Sequence, residues 1–132
     1  MHFKGVIEKA ADRSRSELAS EGRIKPMAFF VHADGMMKTA SLFVKDEYQK
    51  EALIRRIQEK VLAENISTVI ILTEIDNEHG MLFSGVSSGM KGSASISYSF
   101  DDKTKSVTSW KITWLNQPAQ NVFLDNIFDK KD

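Results

Sequence analysis

Apolar residues recur at helical spacing in two segments of the chain. From about residue 3 to 21 they lie three and four positions apart, with charged residues on the opposite side. Gly22 and Pro26 favour an end there, because glycine suits a helix C-terminus and proline cannot continue a helix. A second helix is predicted from Asp46, a good N-cap, to about Ala63. Its apolar stripe consists of Leu53, Ile54, Ile57 and Val61.

Strand-like patterns occur in the segments outside these two predicted helices. Residues 27–44 predict a hairpin, because strand formers flank the turn pair Asp34 and Gly35. Residues 68–75 form a nearly continuous β-branched run, which is typical of a strand with both faces covered. The Gly- and Ser-rich stretch 77–92 is not assigned to an element. Its glycines predict a mobile loop, and their spacing does not match a phosphate-binding loop.

A second hairpin is predicted by two alternating segments, residues 93–100 and 106–114. On one side they carry large apolar residues, which we expect to belong to the core: Ala94, Ile96, Tyr98, Phe100, Trp110, Ile112 and Trp114. On the other side a row of serines is expected to face Ser109, Lys111 and Thr113 across the hairpin. This polar side is either plain solvent surface or a contact between subunits.

The order of these segments predicts a single α+β domain over residues 1–132. We expect one mixed or antiparallel sheet of about five strands, with the two main helices on one face. The predicted order is α-β-β-α-β-β-β, followed by a short C-terminal segment.

Composition and charge narrow the classes of function. Eighteen Lys and Arg balance eighteen Asp and Glu, so neither a general nucleic-acid binder nor a polybasic membrane-surface protein is expected. The absence of cysteine excludes disulfides, thiolate catalysis and cysteine-ligated metals. Charges interrupt the N-terminal segment, and the longest apolar run spans only residues 69–72. We therefore expect a cytoplasmic protein without a signal peptide or membrane span.

The stretch from Val61 to Met90 contains no Lys or Arg but several acidic residues. Its candidate chemistry is a divalent cation site, because carboxylates and imidazoles are suitable ligands. The candidate ligands are His32, Glu74, Asp76 and His79. Glu74 alone is also a candidate general acid or base, since a carboxyl group ending an apolar strand can have a raised pKa. Alternatively these residues are turn and strand-end groups with structural roles, and no resident cofactor is expected.

The tail from Pro118 to Asp132 carries five large apolar residues, which either close the chain's own sheet or dock on a neighbour. We expect a homodimer, the commonest soluble oligomer, with an interface that includes Phe123, Leu124, Ile127 and Phe128. The chain is accordingly interpreted as a protein-interaction or self-associating module. A cation-binding protein or small enzyme is the alternative. A third hypothesis is a small-molecule pocket lined by methionine and phenylalanine.

The outline of the chain resembles a loose group of small uncharacterised bacterial and phage-encoded α+β proteins. Their pattern is a leading helix, a P-x-x-F-F-V…D-G hairpin, a charged helix, a V-x-x-x-T/S-E strand and a final hairpin. The matching residues are Pro26, Phe29, Phe30, Val31, Asp34, Gly35, Val69, Thr73 and Glu74. Ile75 and Asp76 depart from the pattern, because an aromatic residue often follows the glutamate. The resemblance implies the fold and no activity.

Overall fold

The computed structural model describes residues 3–22, 25–42, 45–74, 80–87, 90–117 and 122–124. Within them the chain forms two helices, six strands and one turn of 3-10 helix. In chain order these are α1 (Phe3–Glu21), β1 (Met27–His32), β2 (Met37–Ser41), α2 (Glu47–Ala63), β3 (Ile66–Glu74), β4 (Gly80–Ser87), β5 (Met90–Asp101), β6 (Ser106–Trp114) and the 3-10 turn Val122–Leu124. The predicted α+β class is confirmed.

The six strands form one sheet in the order β2-β1-β3-β4-β5-β6, and every neighbouring pair is antiparallel. The two edges are therefore β2 and β6. The final hairpin continues from β4 and lies far from the first hairpin. The sequence predicted about five strands, and the strand it did not find is β4.

Two glycines explain why β4 was not found. Gly85 in β4 pairs directly with Gly92 in β5, so the segment predicted to be a mobile loop lies largely within two strands. The ring of Phe3, at the start of α1, fills the space above this pair. A Cβ atom on Gly92 would lie 2.7 Å from the Phe3 ring, and one on Gly85 would lie 3.2 Å from it. These glycines therefore let the start of α1 pack closely against the sheet, which is a recognised reason for glycine in a strand.

The two helices pack on opposite faces of the sheet, so the expectation that both share one face is wrong. The core beneath α1 contains the buried residues Phe3, Val6, Ile7, Ala10, Ala11, Leu18, Phe29, Val31, Ile70, Leu72, Met81, Phe83, Ala94 and Ile96. The core beneath α2 contains Ala28, Phe30, Leu42, Ile57, Val61, Ile66, Val69, Ile71, Val86 and Leu124. Because alternate side chains of β1 and β3 point to opposite faces, their continuous apolar sequences require a cover on each.

Local signals for the turns and caps are confirmed. The main-chain N–H of Gln49 donates to the Asp46 carboxylate (2.8 Å), so Asp46 caps α2. The N–H of Met36 donates to the Asp34 carboxylate (2.9 Å), and Gly35 has a φ of 90°. In the first hairpin both turn residues therefore do what their chemistry favours.

The helices cover the sheet unequally. Helix α1 contacts β4, β5 and β6 on one face, whereas α2 and the 3-10 turn contact β3 on the other. On the α2 face, most side chains of β5 and β6 are consequently exposed. None of the described helices is both long and apolar enough to span a membrane.

Candidate interaction site

The exposed part of the α2 face carries the polar row that the sequence predicts. Ser95 lies opposite Thr113, Ser97 opposite Lys111 and Ser99 opposite Ser109, so the expected pairing across the hairpin is confirmed. These side chains are exposed except Ser95, which is half-buried. Ser93 differs from the rest of the row, because it is buried and its hydroxyl donates to Ser84 (3.2 Å).

The main chain of β6 points alternately toward β5 and away from the sheet. The N–H of Leu115 donates to the carbonyl of Ser93 (3.0 Å), which fixes which residues face β5. In an antiparallel ladder the direction of the N–H and C=O groups alternates from one residue to the next. The main-chain groups of Ser109, Lys111 and Thr113 therefore also point toward β5. Three residues then direct their N–H and C=O groups outward: Trp110, Ile112 and Trp114. No strand of the described residues lies beyond β6. We call the segment of β6 from Trp110 to Trp114, with these outward main-chain groups, the open edge.

The side chains of the open edge are supported from the α1 side. All three are half-buried and pack against the core beneath α1, as the sequence predicts for the apolar side of this hairpin. The Nζ atom of Lys4 lies 5.3 Å from the centre of the Trp114 ring, and the Arg15 guanidinium lies 5.3 Å from that of Trp110. Such cation–π contacts are each worth about 0.5–1 kcal/mol at exposed sites. The Tyr98 ring lies 6.4 Å from the Trp110 ring. The open edge is therefore an aromatic-rich strand segment whose side chains pack against the core beneath α1.

His32, a predicted metal ligand, lies in a different cluster at the tip of the first hairpin. Its Nε2 is 3.4 Å from Glu64 Oε1, and its Nδ1 is 3.3 Å from the Met36 carbonyl. Glu64 also contacts Lys60 Nζ at 2.9 Å and Lys38 Nζ at 3.9 Å. The hydrogen bond from Lys60, followed by the one with His32, lowers the pKa of Glu64. This cluster ties the hairpin to the end of α2, and its carboxylate already has cationic partners.

The structure does not bring His32 and Glu74 together. His32 pairs with Ile66 at the start of β3, whereas Glu74 ends that strand. At about 3.3 Å per residue, the two ends are roughly 26 Å apart, far beyond the reach of two side chains. The side chain of Glu74, and the whole of Asp76 and His79, lie outside the described residues. Within the described part of the chain, no group of three or more acidic or histidine residues could hold a metal ion.

The described part of the apolar tail packs on its own chain. Leu124 is buried in the core beneath α2, and Phe123 is half-buried against the same core. Ile127 and Phe128, the other two residues of the predicted interface, lie outside the described residues. Leu124 therefore serves the core of its own subunit, and its side chain is not an exposed docking surface.

The methionines of the hypothetical small-molecule pocket are spread over the molecule. Met81 is fully buried in the core beneath α1, and Met27 and Met37 pack against that core. Met36 and Met90 are exposed, with relative accessibilities of 56% and 52%. These side chains do not gather around one site.

Comparison with known proteins gives no relative. No protein-family model matches the chain, and neither curated proteins nor solved structures provide a significant match. The resemblance to small bacterial and phage-encoded proteins therefore stays a prediction, and the structural feature that bears on function is the geometry of the open edge.

Proposed function

We propose that this chain is a protein-interaction module that binds an extended strand of its partner along β6. The observation that supports this most directly is the open edge. Trp110, Ile112 and Trp114 direct their N–H and C=O groups away from the sheet, and no strand among the described residues pairs with them. Adding a strand to such an edge is a common mode of recognition, in which main-chain hydrogen bonds provide affinity and alternate side chains provide selectivity.

The length and composition of β6 support the same function. The strand has nine residues, contains no proline and carries a single charge, that of Lys111. Proteins usually protect edge strands by shortness, proline, bulges or several charges, because an unprotected edge pairs with other chains. The register irregularity in this hairpin lies between Ser99 and Phe100, near the turn, so it leaves Trp110–Trp114 regular. The absence of cysteine is compatible with a reducing cytoplasm, which we propose as its location.

The cation-binding alternative depends on the base-free stretch that holds Glu74, Asp76 and His79. A rise in melting temperature on adding Mg²⁺, Mn²⁺ or Zn²⁺ would support it, because a ligand that binds the folded state stabilises that state. We place it second, since the observed pairing of His32 with Glu64 removes one proposed ligand from the set.

The experiment uses a displayed library of random ten-residue peptides, selected against the full chain and against two proline variants. Ile112→Pro removes an outward N–H of β6 and no hydrogen bond within the sheet. Thr39→Pro is the matched control, since the N–H of Thr39 points outward from the opposite edge, β2. We expect the selected peptides to bind wild type and Thr39→Pro alike and to lose binding to Ile112→Pro by at least tenfold.

Two further measurements protect this interpretation. Circular dichroism checks that both proline variants fold, and Ile112→Val, which keeps the N–H, should bind as wild type does. Amide exchange should then slow at Trp110, Ile112 and Trp114 when a selected peptide is added. Peptides that bind Ile112→Pro normally, or a library that yields no binder, would contradict the proposal.

A further inference from the structure

The open edge has a self-complementary sequence. From Trp110 to Trp114 it reads W-K-I-T-W, with tryptophan at each end and isoleucine at the centre. In an antiparallel pair of identical strands, a two-fold axis at Ile112 would place Ile112 opposite Ile112 of the second copy. Trp110 would face the second copy's Trp114, and Lys111 would face its Thr113.

The main-chain geometry of β6 meets the requirement of this pairing. Antiparallel strands exchange two hydrogen bonds at every second pair of residues. Trp110, Ile112 and Trp114 are the residues with outward groups, and the axis at Ile112 matches outward groups only with outward groups. Three such pairs would form about six hydrogen bonds, using every outward group of the open edge.

The side chains favour a second copy over an unrelated strand. Aromatic and β-branched pairs across strands contribute about 0.2–1 kcal/mol each, and this register supplies three of them on the α1 side. The one charge of β6, Lys111, meets an uncharged threonine instead of another lysine. The polar rows of the two copies, which include Ser97 and Ser109, would also continue across the axis on the α2 side.

We propose that two copies of the chain associate through antiparallel pairing of β6 with β6, with the two-fold axis at Ile112. This rests on the proposed function, and it names the partner as a second copy of the chain. The two six-stranded sheets become one continuous sheet. The interface lies on β6, and Leu124 of the apolar tail is not part of it, because that side chain is buried in its own core.

Charge at the open edge sets how this dimer responds to salt. Lys4 lies over Trp114 and Arg15 over Trp110, so pairing brings Lys4 to the same side of the sheet as Arg15 of the second copy. These like charges repel each other. Dissolved salt weakens the repulsion, since the Debye length falls to about 10 Å at an ionic strength of 0.1 M. The dimer should tighten as ionic strength rises, whereas an acidic peptide on the same edge would bind more weakly.

The register is tested by cross-linking single-cysteine variants, which is direct because the chain has no cysteine of its own. Lys111→Cys mixed with Thr113→Cys places two thiols at a non-hydrogen-bonded pair, where Cα atoms are about 4.5 Å apart and a disulfide fits. Lys111→Cys mixed with Ser109→Cys is the matched control, and all three sites are exposed. One variant carries a mass tag, so that mixed disulfides are distinguished from those between like chains.

We expect at least tenfold more mixed disulfide from the first pair than from the control. An excess in the control pair would place the axis at Trp110 and overturn the proposed register. Equal, slow cross-linking in both mixtures would overturn the β6 dimer.

Sedimentation of the wild type over a range of concentrations and salt separates this inference from the proposed function. We expect a monomer–dimer equilibrium, because a five-residue ladder buries less surface than the roughly 1,600 Å² that a standard interface buries. It should shift toward dimer with salt, and Ile112→Pro should remain monomeric. A wild type that stays monomeric while selected peptides still bind the open edge overturns the dimer and leaves the proposed function standing. A dimer that persists in Ile112→Pro overturns the β6 dimer, because its interface then lies elsewhere, and the peptide selection alone decides the proposed function.

Discussion

The two edges of the sheet differ in what they offer to another chain. The N–H of His32 donates to the carbonyl of Met36 (2.8 Å), so in β2 the outward residues are Met37, Thr39 and Ser41. The strand has only five residues, and the Arg13 side chain already donates to the outward carbonyl of Met37 (3.3 Å).

The opposite edge, β6, has nine residues and outward main-chain groups at Trp110, Ile112 and Trp114, without a partner among the described residues. Its short length and the hydrogen bond from the Arg13 side chain protect β2, in the way natural proteins commonly protect edge strands. The same fold thus has one edge that discourages pairing and one that is suited to it. We conclude that an exposed strand is informative about function only when its main-chain direction and its existing contacts are both considered.

The largest expected effect comes from Gly92→Ala, which tests whether β6 depends on the position of α1. The new methyl group would lie 2.7 Å from the Phe3 ring, so that ring must shift from its place against the sheet. Because Lys4 follows Phe3 and contacts Trp114, the open edge should be disturbed as well. We expect a loss of about 1–3 kcal/mol in the free energy of unfolding, measured by chemical denaturation.

Gly5→Ala is the matched control for this change. Gly5 also lies in α1, but a Cβ there meets no atom within 4 Å. It should raise the free energy of unfolding by about 0.5–1 kcal/mol through helix propensity. Adding Phe3→Leu should partly rescue Gly92→Ala. Equal stability of Gly92→Ala and wild type would show that Phe3 does not need the glycine pair.

A smaller effect is expected at the protected edge from Arg13→Ala, which frees the carbonyl of Met37. An exposed contact of this kind is worth at most about 1 kcal/mol, so stability should fall only slightly. If shortness also protects β2, the solution mass should equal that of wild type. Arg56→Ala, at an exposed position of α2, is the control. New association by Arg13→Ala would show that the arginine alone keeps β2 closed.

The smallest effect is expected from Glu64→Gln, which tests the titratable contacts beside β2. The hydrogen bond from Lys60 and that with His32 lower the pKa of Glu64 in the folded chain. A carboxyl group whose folded pKa is lowered contributes stability above its unfolded pKa, and loses that contribution as pH falls through the folded value. Wild type should therefore melt slightly above Glu64→Gln near neutrality. The difference should vanish in acid, and an unchanged difference there would contradict this origin.

Much of the fold could be predicted from sequence because its signals are local. The cap at Asp46, the turn at Asp34 and Gly35, and the pairing of Ser97 with Lys111 each depend on neighbouring residues or one hairpin. Strand β4 was not found because Gly85 resembles a loop glycine until Phe3, far away in the sequence, is placed beside it.

The candidate site could not be predicted in the same way. The alternation of β6 identifies Trp110, Ile112 and Trp114 as one apolar row, but their outward main chain has meaning only at the edge of a sheet. Which strand lies at the edge depends on the order of all six strands. The contact of His32 with Glu64 was likewise missed, since it joins a hairpin to the end of a helix.

The order of the sheet also has a consequence for how the chain folds. Four of its five ladders join strands that are consecutive in sequence, and β1 with β3 is the single exception. Closing short loops costs little entropy and favours rapid folding, whereas a non-local ladder must wait for a larger loop to close. We expect β3 to β6 to assemble as one unit and the first hairpin as another. The contacts between Phe29 and Ile70 would then form late, as the seam that completes the domain.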